Sequence, residues 1–202
     1  MESIIAEGRA DIVALARPLL ADPELPNKLK AGKADQVSPC LRCMACISES
    51  FVPYVRYCSR IRRCPSNPTA YKEIPASQVK KTEQPKKVLV IGGGPSGMEA
   101  AAELAERGHH VILCERENEL GGAMRHAKYV PFKQKVDQLM HVMIRRLERS
   151  GAEIRLRTAA TPTLVESLHP DVIVAALGAK AKKPEVAGAE HAIIAAVSYT
   201  HL

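Results

Sequence analysis

The stretch KKVLVIGGGPSGMEAAAELAERGHHVILCE, residues 86–115, constrains the path of the chain more tightly than any other. Val88 to Ile91 read as a strand, three glycines follow, an alanine-rich run reads as a helix stopped by Gly108, and VILCE reads as a second strand. Strand, turn, helix and strand in that order make one βαβ unit, and hence a parallel sheet within an α/β fold. Further on, residues 133–149 read as a helix, SGAEIRLRT as another strand, and DVIVAALGA as an apolar strand ending in a glycine turn at Gly178. The sheet therefore extends beyond the first unit.

The glycines of the turn have separable tasks. Gly92 permits the tight exit from the strand, Gly94 lets the backbone approach a pyrophosphate, and Gly97 lets the helix pack close to the sheet, with Ser96 beside it at the helix N-terminus where phosphate charge is favoured. A lone GxGxxG is weak, but here it is answered 21 residues after Gly94 by Glu115, at a strand end where an acid can accept hydrogen bonds from an adenosine ribose. That joint spacing argues against Glu115 being merely a solvated acid. Gly121 and Gly122 would let the chain pass close to a second part of a dinucleotide. Gly178 sits where a strand end meets a cofactor, or else forms a structural turn. Cys114, inside an apolar strand, reads as a small core residue.

Five of the six cysteines lie between Ser38 and Pro68, in a segment rich in proline and without periodicity. Such a segment cannot build its own core and needs a staple. No apolar run approaches the roughly 20 residues that cross a bilayer, and the N-terminus lacks a signal-peptide pattern. The sequence is read as cytoplasmic, where clustered thiols serve as metal ligands more often than as disulfides. Cys40, Cys43 and Cys46 are spaced so that one tight loop can aim three sulfurs at a common centre, with Cys58 or Cys64 as the fourth ligand. Structural zinc favours two CxxC pairs, so three close cysteines and one remote favour an iron-sulfur cluster. The formal charge of +7 is scattered, and 3% aromatic residues with no Trp leave little to stack bases on. A solvated basic surface with no nucleic-acid partner follows.

The order GRADIVALARPLLADPELPNKLKAG, PCLRCMAC, RCPSNP, VLVIGGGPSGMEAA, ERGHHVILCE and ELGG resembles the C-terminal part of the NADH:flavin oxidoreductases typified by 2,4-dienoyl-CoA reductase, 2-enoate reductase and trimethylamine dehydrogenase. The resemblance covers nearly the whole chain. The apolar run of residues 10–16 by itself suits a buried strand, and PLLADPELPNKLKAG reads as a broken helical stretch ending at Gly32; the resemblance implies that residues 1–37 are the end of an FMN-binding (β/α)8 barrel. It further implies an irregular iron-sulfur segment over 38–85 and a truncated Rossmann-like FAD-binding domain over 86–196. Residues 197–202, VSYTHL, do not match the family's continuation and are expected to be a foreign tail.

The same resemblance favours Cys64 over Cys58, because the family's fourth ligand lies three residues before the Asn of an Asn-Pro pair, here Asn67-Pro68. Ser66 departs from the usual hydrophobic residue there. Ala16 and Arg17 match the family's FMN-phosphate contacts. The implied cofactors are a 4Fe-4S cluster, FAD, FMN and NAD(P)H, and the implied reaction is reduction of an activated C=C bond of a small-molecule substrate. Oxidative amine demethylation is the alternative within the family, and a zinc-stapled nucleotide-binding module is the alternative of another class. No catalytic residue is expected within this chain, and the fragment is expected to be inactive alone.

Overall fold

The computed structural model describes residues 2–47, 63–179 and 185–191, and in it the apolar run of residues 10–16 forms no strand. That expectation is corrected for a physical reason: a strand needs hydrogen-bonded neighbours, and among the described residues none pairs with this run. Ile12 is left 84% exposed. The chain divides into two units, Met1–Ala76 and Ser77–Leu202.

In the first unit α1 (Glu2–Ala6) precedes the extended run, and α2 (Arg17–Ala21) and α3 (Leu25–Lys30) follow it. Pro18 sits in the first turn of α2, and Gly32, with φ +70°, ends the α3 region, as the broken helical pattern anticipates. Asp22, only 4% exposed, organises this corner. Its Oδ1 accepts from the Glu24 amide at 3.1 Å, and its Oδ2 accepts from Lys28 Nζ at 2.7 Å and from the Ser38 amide at 2.8 Å. One carboxylate thus ties the helix pair to the start of the cysteine segment. A short helix, α4 (Glu73–Ser77), closes the region.

The second unit contains the expected βαβ sequence: β1 (Lys87–Ile91), α5 (Pro95–Glu106) and β2 (His110–Cys114). It continues with α6 (Gln134–Arg149), β3 (Glu153–Arg155), α7 (Pro162–Leu168) and β4 (Val172–Ala175). All four strands are parallel, in the order β3-β2-β1-β4. Alternation within the strands sends Val88, Val90, Val111 and Leu113 to one face, packed with Met98, Ala101 and Ala102 of α5 and Met140 and Leu147 of α6. Leu89, Ile112 and Cys114 face the other way, against Leu164, Val165 and Leu168 of α7. Helices on both faces explain why the strands read as continuous apolar runs. Cys114, 1% exposed, is a core residue, and burial pushes its thiol up from the ordinary value. Helix α7 is an addition to the sequence reading, although Thr161, whose hydroxyl accepts from the Leu164 amide, and Pro162 form a legible start signal. No described helix is long and apolar enough to cross a membrane.

Helices α5 and α6 are clamped on their outer side by Arg146. Its Nη1 donates to Glu99 at 2.6 Å, its Nη2 to Glu103 at 2.9 Å, and its Nε and Nη2 to Glu106 at 2.9 and 2.7 Å. The three acids lie on one face of α5 at helical spacing, so without the guanidinium they repel one another. Burial raises the Glu103 carboxyl, but hydrogen bonds from Arg107 and Arg146 outweigh it and hold the group below the ordinary value. A lowered carboxylate stabilises the fold above the ordinary Glu range, and that contribution is lost as pH falls through the depressed folded value. The side chains are 31–42% exposed, so solvent discounts each pair. Arg146→Met is expected to cost about 1–2 kcal/mol at neutral pH. In urea denaturation the deficit should shrink in acid and in high salt; a deficit independent of both would mean that packing, not charge, holds the helices.

Candidate cofactor-binding sites

Within the first unit, Cys40, Cys43, Cys46 and Cys64 line one recess together with Arg17, Leu20, Leu41, Met44, Pro65 and Ser66. The five described cysteines, these four and Cys114, are free thiols; Cys58 lies outside the described residues. The loop carrying the first three bends through two residues in the left-handed region, Arg42 at φ +57° and Met44 at φ +61°. Alternation of this kind turns successive backbone N–H groups toward a common concavity, as at many anion and iron-sulfur sites.

Cys64 comes to the recess on its own turn, in which the Asn67 amide donates to the Cys64 carbonyl at 3.2 Å. Burial pushes the Cys64 thiol up; hydrogen bonds from the backbone at Ser66 and Asn67 oppose this, and the nearby Cys43 and Cys40 add to it. Cys40, Cys43 and Cys64 are neighbours in this recess. Two side chains pin the turn. Ser66 Oγ donates to the Pro39 carbonyl at 2.7 Å, next to Cys40, and Asn67 Nδ2 donates to the Leu20 carbonyl at 2.9 Å. Asn67 Oδ1 in turn accepts from the amide and hydroxyl of Thr69. Ser66, the departure from the family pattern, thus contributes a buried tie that a hydrophobic side chain could not make.

Arg17 reaches the same recess, with Nη1 donating to Met44 Sδ at 2.8 Å. Ala16 is the N-cap of α2, and its carbonyl accepts from the Leu19 and Leu20 amides at 3.1 and 3.2 Å. Asp22, whose role no local pattern signals, and Ser66 are the functional supports that sequence reasoning leaves unassigned.

In the second unit the glycine turn lies at the carboxyl end of β1. Gly92 has φ +107°, and a Cβ there would collide with the Ala176 carbonyl oxygen just beyond β4. A Cβ on Gly97 would collide with the Gly92 carbonyl oxygen and stand 3.3 Å from the Ala176 Cβ. Gly93, given no task by the sequence, is tightly flanked as well, since a Cβ there would lie 2.6 Å from Leu120 Cδ2 and 3.0 Å from Glu115 Oε2 and would force those side chains to shift. Gly94 differs: its φ of −73° suits any residue, and an added Cβ would meet nothing nearer than Gly122 Cα at 4.0 Å. The chain itself does not require glycine there.

Helix α5 begins at Pro95 with no side chain capping its first amides, and Ser96 is exposed in its first turn. Glu115, 7% exposed at the end of β2, accepts from the Gly93 amide at 2.5 Å through Oε2 and from the Glu117 amide at 2.9 Å through Oε1. Two amides fix the carboxylate beside the glycine turn. Gly121 and Gly122 pass along the same turn, the Gly121 amide donating to the Gly93 carbonyl at 2.7 Å, and a Cβ on Gly122 would lie 3.1 Å from Gly94 Cα. Gly178 has φ +71° with open space around it.

Comparison with known proteins identifies the family. The family described as FAD dependent oxidoreductase matches residues 87–201. The chain is 40% identical over 190 residues to an NADH oxidase of Thermoanaerobacter brockii, covering 94% of this chain and 28% of that protein. It is 37% identical over 186 residues to a cinnamate reductase of Clostridium sporogenes, covering 92% of this chain and 27% of the relative. Among solved structures, 2-naphthoyl-CoA reductase in complex with 2-naphthoyl-CoA superposes with a TM-score of 0.82 at 33% identity, over 94% of this chain and 28% of that one. The chain thus spans little more than a quarter of the length of each. It belongs to the FAD-dependent oxidoreductase family, among the NADH:flavin oxidoreductases related to 2,4-dienoyl-CoA reductase.

Proposed function

We propose that the chain is the part of a flavin-dependent oxidoreductase that holds a 4Fe-4S cluster on Cys40, Cys43, Cys46 and Cys64 and the adenosine diphosphate half of FAD over the turn between β1 and α5. The observation that carries this reading is the shared recess in which Cys64 joins the three closely spaced cysteines. Structural zinc favours two CxxC pairs, whereas three close cysteines and one remote suit a four-iron cluster.

When bound, the flavins and the cluster supply the redox chemistry, taking reducing equivalents from NAD(P)H by way of FAD to FMN and on to an activated C=C bond of enoate or dienoyl-CoA type. The residues of this chain position and insulate. The backbone amides around Arg42 and Met44 and those that reach Cys64 would face the negative charge of a cluster held there. Gly94 gives the pyrophosphate room at the uncapped N-terminus of α5, beside Ser96 and Gly97. Glu115, already fixed by two amides, keeps lone pairs for the ribose hydroxyls, and Gly121, Gly122 and Gly178 border the same crevice. That crevice opens at the carboxyl ends of β1 and β4, where the strand order reverses, as in Rossmann-like folds. Ala16 and Arg17, at the start of α2, would meet the phosphate of an FMN held by a flavin barrel. The C=C reading is supported by the relative named for cinnamate, a molecule with such a bond.

Anaerobic purification tests the assignment. The chain should be brown and carry about four irons and four sulfides. Cys64→Ser should reduce iron below about one per chain, while Cys58→Ser leaves it intact. A colourless protein containing zinc would remove the redox reading, and the reverse pattern of the two serine variants would show that Cys58 is the fourth ligand.

A further inference from the structure

Arg17 opens α2 and sends its side chain along the wall of the recess lined by Cys40, Cys43, Cys46 and Cys64. It is the only cationic side chain lining that recess among the described residues. The neighbouring Lys28 is occupied elsewhere, donating to Asp22 and to the Gln36 carbonyl. Arg17 itself meets no carboxylate among the described residues. Among the described residues its side-chain hydrogen bond is Nη1 to Met44 Sδ at 2.8 Å, and a thioether is a weak acceptor that does not neutralise the guanidinium charge. Met44 is held in the left-handed region at φ +61°, on the loop between Cys43 and Cys46. The loop that supplies three thiolates therefore also steadies the arginine beside them.

A charge so placed has a predictable effect on whatever centre the four thiolates hold. A four-iron cluster with four cysteinate ligands is anionic, and an added electron makes it more so. A nearby fixed cation stabilises the reduced form more than the oxidised one, most strongly where water is partly excluded. We infer that Arg17 is a positioning residue of the cysteine recess that raises the reduction potential of its centre, with Met44 keeping the guanidinium at the rim. This inference rests on the cluster assignment proposed above and adds a second task to an arginine whose fork has five donors, enough to meet a phosphate as well.

The test uses the 202-residue chain, purified anaerobically without added FMN, so that a phosphate contact plays no part. Iron and sulfide are measured first, then the midpoint potential by redox titration, for the parent, Arg17→Gln, Arg17→Lys and Met44→Leu. Arg17→Gln should keep its iron and show a reduced-to-oxidised ratio about tenfold lower at a given potential, a shift of about 59 mV to the negative for a one-electron couple. Arg17→Lys should restore most of the shift, because the charge is kept. Met44→Leu should shift the potential in the same direction by less, because the guanidinium loses its tether but not its charge.

An unchanged potential in Arg17→Gln at full iron content would overturn the inference and leave the cluster assignment standing. Should Arg17→Gln lose iron while Arg17→Lys retains it with the parent potential, the electrostatic role is upheld. Loss of iron from both variants would make Arg17 a packing residue and overturn it. A parent chain without iron and sulfide would refute the cluster assignment, and the inference with it.

Discussion

Gly97→Ala is expected to destabilise the Ser77–Leu202 unit by about 3 kcal/mol or more, and Gly97→Val to prevent its folding. A Cβ at position 97 runs into the Gly92 carbonyl oxygen and crowds the Ala176 Cβ. Both obstacles belong to the sheet edge, the first to the turn out of β1 and the second to the segment after β4, so neither can move like the end of a flexible side chain. The helix would have to lift away from the sheet and expose Met98, Ala101 and Ala102, now at most 1% exposed. A loss of that size removes a large part of the 5–15 kcal/mol that holds a typical domain together. Urea denaturation followed by circular dichroism measures it, with Gly94→Ala as the control that should cost far less. A Gly97→Ala chain as stable as the parent would mean that the approach of α5 to β1 is looser than the structure has it.

The core of the second unit was legible because its determinants are local. Val88 to Ile91, the glycine turn, the alanine-rich helix and VILCE each declare their conformation over a few residues, and Gly108 with φ +95° ends α5 where the sequence places the stop. The CxxCxxC loop was legible for the same reason. Its fourth partner was not, since nothing in the spacing chooses between Cys58 and Cys64; the described structure brings Cys64 to the recess through contacts 27 and 47 residues long, Ser66 to Pro39 and Asn67 to Leu20. Arg146 bridges to α5 over similar distances, and its three acids look like an ordinary solvated helix face until the partner is seen. Residues 10–16 failed as a strand because β structure is a property of a pair: apolar content qualifies a segment for a sheet, but neighbours make it one.

The same logic separates the two kinds of glycine in the turn. Gly92 and Gly97 are demanded by the chain's own backbone, and their replacement tests folding. Gly94 is not demanded, having an ordinary φ and no atom within 4.0 Å of the Cβ position except at that limit. A glycine without a structural reason beside an uncapped helix N-terminus has room for something else.

If that something is the pyrophosphate of FAD, Gly94→Val should leave folding nearly intact and lower ADP affinity at least about tenfold, or 1.4 kcal/mol, because a branched side chain stands where the phosphate must meet the amides of α5. The extended backbone at Gly94 accommodates a β-branched residue without strain. Glu115→Ala should also weaken binding, but at a visible cost in stability of about 1–3 kcal/mol, since the Gly93 and Glu117 amides lose their acceptor. The two variants therefore carry different signatures: affinity without stability for Gly94, both together for Glu115. Calorimetric titration of the folded chain with ADP, paired with urea denaturation of each variant, reads both quantities. A Gly94→Val chain that folds and binds ADP as the parent does would reduce the glycine turn to a packing device and remove the dinucleotide from the crevice.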